Sequence, residues 1–75
     1  MPANSYTTSL FQDGTARIAQ KVGEEGVALA LARMKDDTNE TKNEAADLLF
    51  HTMVLLEDAG LHISDVVEVL QNRHK

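Results

Sequence analysis

Apolar positions recur every three or four residues along most of this chain, and no segment alternates between apolar and polar residues as a strand does. Gly14 is a stop signal after a first short helix, and Gly60 is one after the third helix. Residues 1–4 are expected to be frayed. The pattern predicts helices over residues 5–11, 15–34 and 40–59, and a last helix that Ser64 caps. The predicted fold class is therefore all-α.

The third predicted helix is the most apolar part of the chain. Thr38 or Asn39 can cap its first turn, and its second half is apolar almost all round, from Leu48 to Leu56. A helix of that kind is buried from several sides. Because 75 residues form only a small core, we expect a second copy of the chain to cover part of this helix. The sequence thus predicts a helical bundle completed by homo-oligomerisation, as a dimer or a tetramer.

Composition narrows the possible functions. The 75 residues include no cysteine, which excludes disulfides and thiolate metal sites. A net charge of −5 argues against binding to nucleic acid, which needs a basic surface. No apolar run reaches the roughly 18 residues of a membrane span, and the N-terminus lacks the layout of a signal peptide. We therefore expect a cytoplasmic protein that contacts neither nucleic acid nor a membrane.

Two acidic clusters carry the candidate chemistry. Glu24 and Glu25 lie on the second predicted helix, and Glu44 and Asp47 lie one turn apart on the third, in line with His51. If the two helices pack side by side, four carboxylates share one small volume and repel one another unless a cation lies between them. Carboxylate oxygens are the ligands that Mg²⁺ and Mn²⁺ prefer. The clusters therefore indicate a metal-dependent reaction at phosphate.

Each of these features also has an ordinary structural explanation. Lys21 and Glu25 are four residues apart, which is the usual spacing of a surface ion pair on a helix. A pair of adjacent glutamates is most often a solvated face. Gly23 and Gly26 weaken the second helix by up to about 1 kcal/mol each, which indicates either the close approach of another backbone or room for a ligand. From pattern alone, solvated edges and a metal site are both open.

Three stretches of the chain resemble a known enzyme family. They are Ser5-Tyr6-Thr7, the segment from Arg17 to Lys21-Val22-Gly23-Glu24-Glu25, and Glu44-Ala45-Ala46-Asp47-Leu48-Leu49-Phe50-His51. In this order and spacing they are similar to phosphoribosyl-ATP pyrophosphohydrolase, an all-α, MazG-like nucleotide pyrophosphohydrolase of histidine biosynthesis. The similarity continues through Val54-Leu55-Leu56, Gly60, Asp65-Val66 and Arg73-His74, and so covers the chain from Ser5 onward.

The resemblance implies a reaction and a set of roles. The reaction is the Mg²⁺-dependent hydrolysis of the α–β phosphoanhydride of phosphoribosyl-ATP, which yields phosphoribosyl-AMP and pyrophosphate. The implied catalytic residues and metal ligands are Glu25, Glu44 and Asp47, with Glu24 as a further ligand or its near neighbour, while Lys21 and His51 fall where the family places groups near substrate phosphates. One carboxylate of the cluster would take a proton from the attacking water.

The chain departs from the family pattern at two places. The family has a third glutamate in the first acidic motif, and Ala28 stands there in this sequence. Relatives usually carry another helix before Ser5, so we expect residues 1–75 to form one domain that lacks the leading helix, either as part of a longer or fused enzyme or as a short variant. Two alternatives to the phosphoribosyl-ATP reaction therefore stay open: a catalytically impaired helical assembly module, and a house-cleaning hydrolase of (d)NTPs.

Overall fold

Four helices account for most of the chain, as the spacing of apolar residues predicts. The computed structural model describes the backbone of residues 2–74 and the side chains of residues 6–74. The helices are α1 (Pro2–Asp13), α2 (Thr15–Met34), α3 (Thr38–Asp58) and α4 (Ile63–Arg73). No strand occurs in residues 2–74, so the all-α prediction is confirmed. None of the described helices is long and apolar enough to cross a membrane.

Helices α2 and α3 form an antiparallel hairpin that is joined at both ends. At one end the Thr15 hydroxyl, at the start of α2, donates a hydrogen bond to the carboxylate of Asp58 at the end of α3. At the other end Lys35 and Glu40 form an ion pair with an N–O distance of 2.9 Å. Most contacts between helices are those of α2 with α3. The middle of α2 therefore faces the middle of α3, where the acidic residues of both helices lie.

The turn between α2 and α3 explains why α3 begins earlier than the sequence predicts. Asp36 has a φ of 61° and ends α2 in a left-handed conformation. The carboxylate of Asp37 then accepts a hydrogen bond from the backbone N–H of Glu40, at 2.9 Å. The prediction that Thr38 or Asn39 caps α3 is therefore wrong. Asp37 performs that role, and the helix begins two residues before the expected start at residue 40.

The other helix boundaries agree in part with the predictions. Gly60 has a φ of 76° and ends α3, as expected. The N-cap of α4 is His62 rather than Ser64: the His62 ring accepts from the backbone N–H of Ser64 at 3.2 Å, and the Asp65 carboxylate accepts from the backbone N–H of His62 at 2.9 Å. Helix α1 begins at Pro2 and not at residue 5, so the expected fraying of residues 1–4 does not hold for the described residues 2–4.

The core of one chain is small. Leu10, Ile18 and Val54 form a buried cluster that joins α1, α2 and α3, and Leu55 packs against it. Helix α4 has no buried residue. Within one chain α3 is not buried from several sides, because only His51 and Val54 on it are buried. Much of the apolar surface of α3 and α4 therefore remains open in a single chain.

Candidate metal centre

Three carboxylates meet where the middle of α2 faces α3. Glu25 comes from α2, and Glu44 and Asp47 lie one turn apart on α3. One oxygen atom from each residue lies within 4.8 Å of the other two. Glu25 and Glu44 are partly buried, while Asp47 is exposed, so the cluster is supported by the hairpin and remains open on one side. Its three oxygen donors have the hard character that suits a small divalent cation.

The electrostatics of the cluster show repulsion between its members. Burial raises the pKa of Glu25 above its usual range, and the negative charges of Asp47 and Glu44 raise it further. The ammonium group of Lys21 acts in the opposite direction and lowers the pKa of Glu25. A cation held between these oxygens would remove the repulsion. The residues present therefore fit a divalent metal ion.

Glu24 does not join this group in the structure. Its carboxylate accepts a hydrogen bond from the side chain of Gln20 at 2.8 Å and pairs with Lys21 at 3.4 Å. The hydrogen bond from Gln20, together with Lys21, lowers the pKa of Glu24. Adjacent residues on a helix point about 100° apart, so only one of two neighbouring glutamates can point directly at α3. Lys21 thus forms its ion pair with Glu24, and its charge also lowers the pKa of Glu25.

Ala28 lies beside a shallow apolar depression on α2. The residues that line this depression are Gln20, Gly23, Glu24, Val27, Ala28 and Leu31. A Cβ atom added at Gly23 or at Gly26 would meet nothing within 4 Å. Within one chain, the two glycines therefore do not serve the close approach of another backbone. They leave open space on the helix that carries Glu25.

His51 lies outside the group of three carboxylates and makes two hydrogen bonds, one to α1 and one to the backbone of α3. It is the one buried polar residue among the described side chains. Its Nε2 atom lies 2.7 Å from the Tyr6 hydroxyl, and its Nδ1 atom lies 2.7 Å from the backbone oxygen of Asp47. The spacing of residues in the sequence predicts no role for Tyr6. Its place in the Ser5-Tyr6-Thr7 stretch, which contributes to the family resemblance, is the one signal that singles it out.

Comparison with known proteins identifies the family of the chain. Residues 1–74 match the family described as Phosphoribosyl-ATP pyrophosphohydrolase. The chain belongs to this family. The resemblance found in the Lys21–Glu25 and Glu44–His51 segments is thereby confirmed for nearly the full length of the chain.

Three curated relatives to which the chain is similar are longer than this chain. The chain is 58% identical over 73 residues to the histidine biosynthesis bifunctional protein HisIE of Photobacterium profundum, covering 97% of this chain and 35% of the relative. It is 54% identical over 74 residues to the proteins of the same name from Vibrio cholerae and Escherichia coli, covering 99% of this chain and 35% and 36% of those relatives. The chain thus spans about a third of the length of these curated relatives.

Proposed function

We propose that this chain hydrolyses phosphoribosyl-ATP to phosphoribosyl-AMP and pyrophosphate, as a step of histidine biosynthesis. The observation that carries the proposal is the cluster of Glu25, Glu44 and Asp47, which lies within the segments that resemble the family most specifically. The names of the relatives refer to histidine biosynthesis, which supports this pathway over the house-cleaning of (d)NTPs.

The proposed cofactor is Mg²⁺, with Mn²⁺ as a substitute, and Glu25, Glu44 and Asp47 are the residues that would hold it. When bound, the ion would neutralise charge on phosphate oxygens and lower the pKa of a bound water molecule. Mg²⁺ is commonly held by one or two carboxylates, with water and substrate oxygens as its other ligands. Three carboxylates on a half-open surface are compatible with that pattern.

The protein residues would contribute binding and proton transfer. One carboxylate of the cluster of Glu25, Glu44 and Asp47 would accept the proton of the attacking water. Lys21 would pair with phosphate oxygens next to the cluster. Glu24 stays a prediction as a further ligand, and reaching the cluster would require it to leave Gln20 and Lys21. The predicted contact of His51 with phosphate stays a prediction too, and would require one of its two hydrogen bonds to break.

The second candidate is a helical assembly module with an impaired site. The observation that favours it is Ala28, which takes the place of a carboxylate next to Glu24 and Glu25. Loss of a single outer-shell partner of a metal site typically lowers affinity or activity by about 10- to 100-fold, and the loss of a ligand is expected to lower it at least as much. Under this alternative the helices persist, while pyrophosphate release is absent.

Pyrophosphate release from phosphoribosyl-ATP decides between these functions. We expect release in the presence of Mg²⁺, none after chelation, and loss of release in Glu44→Gln and Asp47→Asn. A matched control is Glu68→Gln, because Glu68 is an exposed carboxylate on α4 outside the cluster. Faster hydrolysis of a dNTP than of phosphoribosyl-ATP would favour the house-cleaning reaction. Absence of release from every nucleotide would favour the assembly module.

We also propose that the chain functions as a homo-oligomer, a dimer or a tetramer. A folded monomer of 8.2 kDa is expected to expose about 4,500 Å², whereas this chain exposes 5535 Å². The excess of about 1,000 Å² is similar to the roughly 800 Å² that each partner buries in an interface of standard size. Leu49 on α3 and Val66, Val67 and Leu70 on α4 are among the exposed apolar residues of the chain.

Sedimentation at micromolar concentration tests the oligomer. Val67→Glu, which places a charge on the exposed apolar face of α4, is expected to produce monomers that are less stable than the assembly. Glu68→Gln again serves as the control, since it changes the neighbouring residue without adding charge to the apolar face. A wild-type chain that sediments as a stable, folded monomer would contradict the proposal.

A further inference from the structure

We infer that Tyr6 is a positioning residue for the carboxylate cluster, and that it acts through His51 on Asp47. The inference rests on the proposed function, since it concerns the geometry of a proposed metal ligand. It assigns a role to α1, which contributes no residue to the cluster itself.

Two hydrogen bonds through His51 join α1 to the backbone of Asp47, whose side chain belongs to the cluster. The Tyr6 hydroxyl lies 2.7 Å from Nε2 of His51, and Nδ1 of His51 lies 2.7 Å from the backbone oxygen of Asp47. Asp47 in turn places a side-chain oxygen within 4.8 Å of oxygens of Glu25 and Glu44. Both hydrogen bonds have normal lengths, and the last step, from the backbone of Asp47 to its carboxylate, is covalent. Tyr6 is therefore only one side chain removed from a proposed ligand.

The chemistry of the two hydrogen bonds determines the direction of each. A backbone carbonyl can only accept, so Nδ1 of His51 must carry a proton and donate it to the oxygen of Asp47. In a neutral imidazole the other nitrogen is then an acceptor, and the Tyr6 hydroxyl donates to Nε2. The bond from Nδ1 thus fixes the orientation of the His51 ring, and Nε2 points at the Tyr6 hydroxyl.

Ring packing restricts the same group of side chains. Tyr6 stacks on Phe50 with the ring centres 6.1 Å apart, and His51 meets both rings edge-on at 5.7 and 5.1 Å. The His51 side chain is buried, so a lost hydrogen bond there would not be replaced freely by bulk water. The rings and hydrogen bonds together hold the turn of α3 from Asp47 to His51 in one orientation relative to α1.

This role differs from the predicted contact of His51 with phosphate in a way that experiments can detect. If His51 bound phosphate through Nε2, the Tyr6 hydroxyl would compete for that atom. Tyr6→Phe would then leave substrate affinity unchanged or improve it. If Tyr6 positions Asp47, the same substitution would weaken metal binding even when no substrate is present.

The test is a titration of the metal-free protein with Mn²⁺ alone, followed by electron paramagnetic resonance of the free ion. Tyr6→Phe is expected to weaken Mn²⁺ binding by roughly 10-fold, the lower end of effects seen when an outer-shell partner is removed. The control is Ser9→Ala, which removes another hydroxyl of α1 whose hydrogen bond, to the backbone oxygen of Tyr6 at 2.9 Å, lies within that helix. It is expected to bind Mn²⁺ like the wild type.

A second substitution tests whether the two residues act as one unit. His51→Asn keeps an N–H close to the position of Nδ1 and removes the acceptor for Tyr6, so it is expected to weaken Mn²⁺ binding about as much as Tyr6→Phe. The double variant is expected to lose no more Mn²⁺ affinity than either single variant, because both substitutions break the same hydrogen bond. In the wild type, ring ¹⁵N spectra are expected to show the proton on Nδ1, and in Tyr6→Phe a shifted Nε2 resonance.

The outcomes separate this inference from the proposed function. If the wild type binds Mn²⁺ and Tyr6→Phe binds it equally well, the positioning role is overturned while the proposed function stands. If the wild type binds no Mn²⁺, the proposed metal centre is wrong, and the titration of the wild type is sufficient to show this. If His51→Asn does not fold, comparison of Tyr6→Phe with Ser9→Ala still decides, because neither change introduces a new polar group into the core.

Discussion

Glu25 and Asp47 place carboxylate oxygens within 4.8 Å of each other, although one lies on α2 and the other on α3. Two acidic groups this close destabilise the metal-free fold when both are ionised, and the raised pKa of Glu25 is in part a sign of that repulsion. The arrangement is expected in a site that is completed by a cation. Because the raised pKa of Glu25 changes stability with pH, the pH dependence of the free energy of unfolding tests whether Glu25 belongs to the cluster.

The first prediction concerns stability and pH in the absence of metal. The pKa of Glu25 is higher in the folded protein than in the unfolded chain, where it is about 4.3. The stability that protonated Glu25 contributes is therefore complete below that pH and is lost as the pH rises through the folded-state pKa. Glu25→Gln is therefore expected to make the metal-free protein more stable than the wild type at neutral pH, and to remove stabilisation by Mg²⁺. Thermal melts between about pH 4 and pH 8, with and without Mg²⁺, measure both effects.

Glu24→Gln is the matched control for this prediction. The pKa of Glu24 is lowered, chiefly by its hydrogen bond from Gln20, so its contribution to stability is present above the unfolded pKa and is lost as pH falls through the folded pKa. The neighbouring substitution should thus change the pH profile in the opposite direction. Equal profiles for the two variants would contradict the assignment of Glu25, and not Glu24, to the cluster.

The second prediction restores a carboxylate at position 28. Ala28→Glu would project beside Glu24 and Glu25, since it lies four and three residues after them. It is expected to tighten Mg²⁺ and to raise pyrophosphate release by about 10- to 100-fold, while destabilising the metal-free protein through added repulsion. Ala30→Glu adds the same charge to the same helix about 200° further round, and is expected to have neither effect. Background activity in both variants would favour the assembly module.

The third prediction concerns the open space at Gly23. Alanine there would meet no atom of the same chain within 4 Å, so Gly23→Ala should stabilise α2 by up to about 1 kcal/mol through its higher helix propensity. Urea denaturation measures this change. If the substitution stabilises the fold but lowers turnover, substrate occupies the space beside Glu24. If it instead weakens assembly, a second copy of the chain approaches there.

The fourth prediction tests the turn that ends α2. Asp36 has a φ of 61°, which a β-branched residue adopts only with strain. Asp36→Val is expected to lower the free energy of unfolding by about 1–2 kcal/mol. Asp36→Gly is expected to be nearly neutral, because glycine adopts the positive φ without strain and this gain offsets the lost surface ion pair with Arg33. Both are measured by chemical denaturation. A valine variant as stable as the glycine variant would show that the left-handed turn is absent in solution.

Much of the fold follows from local sequence. The spacing of apolar residues predicts all four helices, and Gly60 ends α3 because glycine adopts a positive φ there without strain. The helix caps were harder to predict. Asp37 and Thr38 are both good N-caps, and the carboxylate of Asp37 prevails because it reaches the backbone N–H of Glu40. His62 is a rare N-cap that residue preferences do not indicate.

Some features of the candidate site can likewise be predicted from the sequence, and others depend on the tertiary structure. Spacing alone places Glu44 and Asp47 on one face of α3, since residues three apart on a helix are neighbours. Spacing does not distinguish Glu25 from Glu24. The family resemblance favours Glu25, and the packing of α2 on α3 brings Glu25 to the cluster, because the rotation of one helix against the other determines which of two adjacent side chains faces inward. The pairing of Tyr6 with His51 spans 45 residues and depends on where α1 returns to the hairpin, which no local pattern encodes.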